Sequence, residues 1–174
     1  MKAVSAKIVS GAMVKALAAA GLSSLLLVAP ALAGPIHDAA KTGDVAQVDH
    51  LIAAGTAVDD RDAAKKTALH WASEKGHMEV VELLVDKGAE VSAKDFADFT
   101  PLHAAAIGEQ DAIATLLVAS GADVNALDRD GFSPLDGATL WEFARLVELL
   151  QGAGAKCGTN PHYSKLCRQK LGQE

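Results

Sequence analysis

The stretch Thr100-Pro101-Leu102-His103-Ala104-Ala105 decides the fold of this chain. A Thr at a helix entry offers its oxygen to an orphan backbone N–H. Pro suits the first helical position, where its missing N–H has no partner to lose. Leu102 then turns to a core, and the two alanines leave room for another helix to lie close. The pattern returns at a step of 33 residues, as Thr67-Ala68-Leu69-His70-Trp71-Ala72 before it and Ser133-Pro134-Leu135-Asp136-Gly137-Ala138 after it. One step further back stands Gly34-Pro35-Ile36-His37-Asp38-Ala39.

Other landmarks keep the same step. A Gly follows the first helix at Gly43 and Gly76. Val48/Leu51, Val80-Val81/Leu83-Leu84, Ile113/Leu116-Leu117 and Leu146-Val147/Leu149-Leu150 show the spacing of a second helix with one apolar face. Gly55, Gly88, Gly121 and Gly154 end it, where a left-handed residue is most easily Gly. Each unit reads as a short helix, a tight turn, a second helix and an extended linker. Neither helix is long enough to be stable alone, so stacking must supply the stability.

This motif at this step resembles the ankyrin-repeat family. The likeness covers residues 34–155, with units near 34–61, 62–94, 95–127 and 128–155. It implies an all-α solenoid of four stacked helix-turn-helix units with β-turn fingers, opened by Asp62, Asp95 and Asp128. Asp128-Arg129-Asp130-Gly131 has the composition of a type I turn. Lys65 and Asp98 stand where the finger Gly is expected, which predicts strained or differently shaped fingers. Asp136 replaces the motif His, and Glu142 and Glu109 replace the Gly between the helices, with Gly108 one residue early. End units of solenoids are usually atypical, so the first and fourth units are expected to act as caps.

Of the 174 residues, 16 are basic and 22 acidic. Lys2, Lys7 and Lys15 precede Gly34, so the remainder is strongly acidic. Such a body repels phosphate backbones, which speaks against a nucleic-acid partner. The lysines are followed by the apolar run Ala16–Val28 and by Ala31-Leu32-Ala33, the small-x-small pattern of a cleaved export signal. Residues 1–33 are expected to be a signal peptide cut before Gly34, and a retained anchor is the alternative. The style is bacterial, making the expected location periplasmic or secreted.

The tail, residues 156–174, carries the two cysteines of the chain, Cys157 and Cys167. In an oxidising compartment they are expected to pair, closing a loop worth about 2.5–3 kcal/mol by chain entropy. A short capping helix is expected from Asn160-Pro161, with Tyr163, Leu166, Cys167 and Leu171 on one face. A metal or redox role for Cys157, His162 and Cys167 is the other reading.

His37, His70 and His103 recur without carboxylates or thiols at ligand spacing, so they form a structural ladder and no metal site or cofactor is expected. His77 is placed on the surface. No nucleophile or phosphate-binding motif is present, and no enzymatic activity is expected. The aromatic residues are the stronger lead. The resemblance places Phe96, Phe99 and Phe132 in finger tips and Trp71 and Trp141 on first helices, all on the concave side, with Ile107 and Leu140 beside them. Aromatic anchors ringed by charge are typical of protein interfaces. The expected function is capture of a protein partner, a periplasmic enzyme or a secreted toxin, by a monomeric module. The competing reading is that these rings pack on one another and stiffen the fingers.

Overall fold

A computed structural model describes residues 34–172 of the chain. The proposed export signal, 1–33, lies outside the described residues.

Among the described residues there are nine helices and no strand. They form four pairs: α1 (Pro35–Thr42) with α2 (Val45–Ala53), α3 (Ala68–Lys75) with α4 (Met78–Asp86), α5 (Pro101–Ile107) with α6 (Asp111–Ala119), and α7 (Pro134–Leu140) with α8 (Ala144–Gly152). A ninth helix, α9 (Tyr163–Leu171), follows. The first helices pack in a row α1–α3–α5–α7 and the second helices in a row α2–α4–α6–α8. The first row is the closer packed, because Ala72, Ala105, Ala106 and Ala138 keep its side chains small. Ile36, Leu69, Leu102 and Leu135 supply one fully buried aliphatic residue per unit, met by Val48, Val81, Leu84, Ile113, Leu117 and Leu146 from the second helices. Each contributes about 1.5–3 kcal/mol by leaving water. No helix among the described residues is long and apolar enough to cross a membrane.

The motif histidines start the helices and join the units. The backbone N–H of Thr100 donates to His103 Nδ1 at 3.2 Å, and that of Thr67 donates to His70 Nδ1 at 3.1 Å. A nitrogen that accepts carries no proton, so the proton sits on Nε2. There it donates to a carbonyl of the next unit, His70 to Phe99 at 3.0 Å and His103 to Phe132 at 3.1 Å. His37 differs, with Gly34 in place of Thr at its helix start. Its Nε2 reaches the Asp60 carbonyl within its own unit, and its Nδ1 is buried without a partner.

Burial holds His70 and His103 below their usual value of 6.5, against the carbonyl bond that favours the charged ring. As the pH falls below about 6.5, the unfolded chain takes up protons that these folded rings resist. Their contribution is therefore complete above that pH and is lost as acid approaches the lowered folded values. Midpoints of urea unfolding are expected to fall steadily from pH 7 to pH 5, and less in His70→Gln/His103→Gln. An unchanged slope in that variant would assign the acid sensitivity elsewhere.

The fingers differ from expectation in shape but not in strain. In each, the opening Asp accepts two backbone N–H groups with Oδ1: Asp62 from Ala64 and Lys66, Asp95 from Ala97 and Phe99, Asp128 from Asp130 and Phe132. The fourth residue is left-handed in all three, at φ 59° for Lys65, 62° for Asp98 and 74° for Gly131. One shape therefore serves all three fingers, at a strain cost in the two that lack Gly. Consecutive fingers are tied by Phe96 N–H to Ala64 O and Arg129 N–H to Ala97 O, both at 2.9 Å.

The turn between the helices repeats the lesson. Glu109 and Glu142 take the left-handed position at φ 56° and 62°. Gly108, one residue early, is needed for a different reason: a Cβ there would meet the Glu74 carbonyl at 2.9 Å. Glu109→Gly is expected to stabilise the chain by about 0.5–1 kcal/mol, the left-handed cost of about 1–2 less the flexibility Gly adds to the unfolded state. Chemical unfolding measures this, and a loss of stability would contradict it.

His77 is not a plain surface residue. It is half-buried, and its Nε2 donates to the Lys41 carbonyl of the preceding unit at 2.9 Å.

The tail helix covers the flank of the fourth unit as expected, α9 packing on α7 as a further first helix would, so that unit is not itself the terminal cap. The face it buries differs from expectation. Helix α9 begins at Tyr163, with Asn160 capping it: Asn160 Oδ1 accepts the N–H of His162 and Tyr163, each at 3.0 Å. Its inner face is Ser164, Cys167 and Leu171, while Tyr163 and Leu166 are exposed. Cys157 and Cys167 are joined by a disulfide.

Asp136 is the hinge pin of this arrangement. It is 1% exposed, and its Oδ2 accepts from Ser133 N–H at 2.9 Å, Gly158 N–H at 2.9 Å, Ser164 Oγ at 2.8 Å and Ser133 Oγ at 3.1 Å. Where the other units use a His to donate to a carbonyl, the fourth uses a carboxylate to accept from the tail.

Candidate interaction surface

The fingers and first helices form one face, and the expected partner-binding residues divide on it into three groups. Trp71, half-buried on α3, is held in place: its Nε1 donates to Asp62 Oδ2 at 2.9 Å, and the Lys41 and Lys66 ammonium groups lie 4.2 and 4.3 Å from its ring centre. Burial works against the Asp62 charge, but the Trp71 N–H and the backbone donors of Lys66 and Ala64 outweigh it and keep this carboxyl below its usual range. Phe96 is 55% exposed at its finger tip, with Lys65 Nζ 5.4 Å and the Arg129 guanidinium 4.8 Å from its ring centre. These two rings are dressed by cations.

The second group is Phe99, Ile107 and Phe132. They line one pocket of about 230 Å³, together with Asp128, Asp130, Asn160 and Tyr163. Phe99 is half-buried with its ring 4.8 Å from that of His103, and Phe132 meets Tyr163 edge to face at 5.7 Å. Packing therefore accounts for part of what these two rings do. Ile107 is 42% exposed at the end of α5. Tyr163 was missed by the sequence reading, which assigned it to the buried face of α9. A tail residue reaching back to a finger one unit earlier leaves no local pattern to find.

Leu140 and Trp141 stand apart. Leu140 ends α7 and is half-buried, in the position that Ile107 holds on α5. Trp141 is not on the helix but just past it, 58% exposed, beside Glu142, which pairs with Lys170 at 2.7 Å. It does not line the Phe pocket.

The family model for ankyrin repeats (3 copies) matches residues 3–95 and 36–128, which take in the first three of these pairs; the fourth pair follows the matched span with the same finger and the same turn. The chain belongs to the ankyrin-repeat family. The first matched span begins inside the segment read as an export signal. No curated protein matches the chain. Ankyrin repeats are in general protein-binding modules, and this repeat stack offers Phe96 and Ile107 exposed on its finger and first-helix side.

Within the ankyrin stack, one set of metal-type ligands comes together among the described residues. Asp136, Cys157 and Cys167 bring their ligand atoms within 4.8 Å of one another, and His162 is not of the group. With the disulfide closed, the two sulfurs have no thiolate to offer a metal.

Proposed function

We propose that this chain is an exported, non-catalytic binding module that captures a protein partner on its finger and first-helix face. The observation that carries the reading is the exposure of Phe96 and Ile107 on that face, each among charged groups and each held by a rigid repeat. Such preformed anchors lower the ordering cost of association, which lets a surface bind without a deep cavity.

Charge supports the same side. Of the basic residues in 34–155, all but Lys87 and Arg145 lie on first helices, in fingers or immediately before a finger, whereas Glu79, Glu82, Asp86, Asp111 and Glu148 crowd the second helices. The second-helix side is thus a solvated acidic back, and the front has both signs with which to orient a partner. Export is supported by the pattern in residues 1–33 and by a disulfide, a bond that persists in oxidising compartments. The partner is read as a periplasmic enzyme or a secreted toxin, held by a monomer.

Crosslinking in the native compartment followed by mass spectrometry identifies the partner. A Phe96→Ala/Ile107→Ala double variant then tests the surface. Both side chains are exposed, so unfolding is expected to shift by less than about 0.5 kcal/mol while capture falls at least tenfold. Undiminished capture would place binding elsewhere. Changing Phe99 and Phe132 is a poorer test, since their contacts with His103 and Tyr163 link binding to stability.

A further inference from the structure

The pocket between the fingers of the third and fourth units and the tail has a chemistry of its own. Its walls are the rings of Phe99, Phe132 and Tyr163 with Ile107 at one side, and its rim carries the carboxylates of Asp128 and Asp130. Asn160 also lines it, but its side chain is committed: Nδ2 donates to the Asp130 carbonyl at 3.0 Å, and Oδ1 caps α9. The Asp130 carboxylate is exposed and makes no hydrogen bond or ion pair among the described residues. Asp128 spends one oxygen on its finger and keeps the other. No cationic residue lines this pocket, in contrast to Trp71 and Phe96, whose rings already carry their cations.

From this geometry we infer that the pocket receives a lysine or arginine side chain presented by the partner protein. An aromatic wall accepts the face of a cation and the methylene stem beneath it, and a carboxylate rim takes the charged end. At about 230 Å³ the pocket is below the size usual for small-molecule sites, and it suits one long side chain. An acidic side chain would meet two like charges, and an apolar one would leave both carboxylates unanswered. The inference deepens the reading of this face as a docking surface and supplies one contact of that docking. The partner's basic residue would anchor opposite the last two units, with the cation-dressed Phe96 and Trp71 left for its acidic or polar groups.

The test needs no partner in hand. Aromatic resonances of Phe99, Phe132 and Tyr163 are followed by NMR in the disulfide-intact protein during titration with N-acetyl-lysine methylamide. N-acetyl-norleucine methylamide, its uncharged counterpart, serves as comparison. Saturable shifts at these three rings are expected, with the lysine derivative binding roughly fivefold or more tightly than the norleucine one. Asp130→Asn is expected to narrow that difference at least twofold without altering unfolding. Equal binding of the two derivatives, or no shift at these rings, overturns the inference. Either result leaves the docking face itself untouched, because that is judged by capture in a Phe96→Ala variant, whose side chain does not line the pocket.

Discussion

Replacing Asp136 by alanine is expected to lower the free energy of unfolding by about 3–5 kcal/mol and to free the tail from the last unit. The substitution leaves the backbone N–H groups of Ser133 and Gly158 buried without an acceptor. Each such loss costs about 1–3 kcal/mol. The two hydroxyls that also donate to Asp136 suffer less, since Ser133 Oγ keeps the Lys156 carbonyl at 3.1 Å and Ser164 Oγ can rotate. Asp136→His would restore the family motif, yet it is expected to be no better than alanine. The other motif histidines point a donor at a carbonyl, whereas here the groups ahead are themselves donors. Gly158→Ala should be as damaging, because its Cβ would collide with the Gly131 carbonyl and lie 2.6 Å from Asp136 Oδ2. Urea unfolding together with proteolysis of the tail measures all three. A stable Asp136→His variant with a protected tail would refute this account of the clasp.

Leu102→Ala is the second large effect, about 2–5 kcal/mol. Leu102 is fully buried on α5, and α5 packs against both α3 and α7. In a repeat stack each unit is stabilised only by its neighbours, so a cavity in the third unit weakens two interfaces at once. Unfolding is expected to lose cooperativity as well as to shift its midpoint. Leu166→Ala, on the outer side of α9, serves as control and should change stability by less than about 0.5 kcal/mol. Comparable losses at both positions would mean that the core is not where the motif puts it.

The reasons that the repeats could be read and the site only in part are physical. Leu102 and its counterparts answer to their own helix and the next one, so their demands recur every 33 residues and are visible as a period. The left-handed turns were harder. Lys65, Asp98, Glu109 and Glu142 adopt the Gly conformation without being Gly, because flanking hydrogen bonds such as those of Asp62 and Asp95 fix the backbone around them. Composition flagged those positions as departures but not which way they would resolve. Phe96 and Ile107, like Phe99 and Phe132, were legible only as members of one aromatic face. That one of these pairs stays open while the other leans on His103 and Tyr163 depended on contacts between units.

What the sequence determined by itself is the architecture: the period, the helix pairs, the fingers, and the pairing of the two cysteines. The repeats follow from forces acting within a unit or between identical neighbours, and the pairing from there being two cysteines in the chain. What only the tertiary structure decided is how the pile ends. Asp136 looks like a lost His until the tail is seen to bring it donors, and Tyr163 looks like a core residue until it is found beside Phe132. Both depend on a segment that has no repeat to copy. Its place is set by which buried groups still lacked partners once the four units had closed.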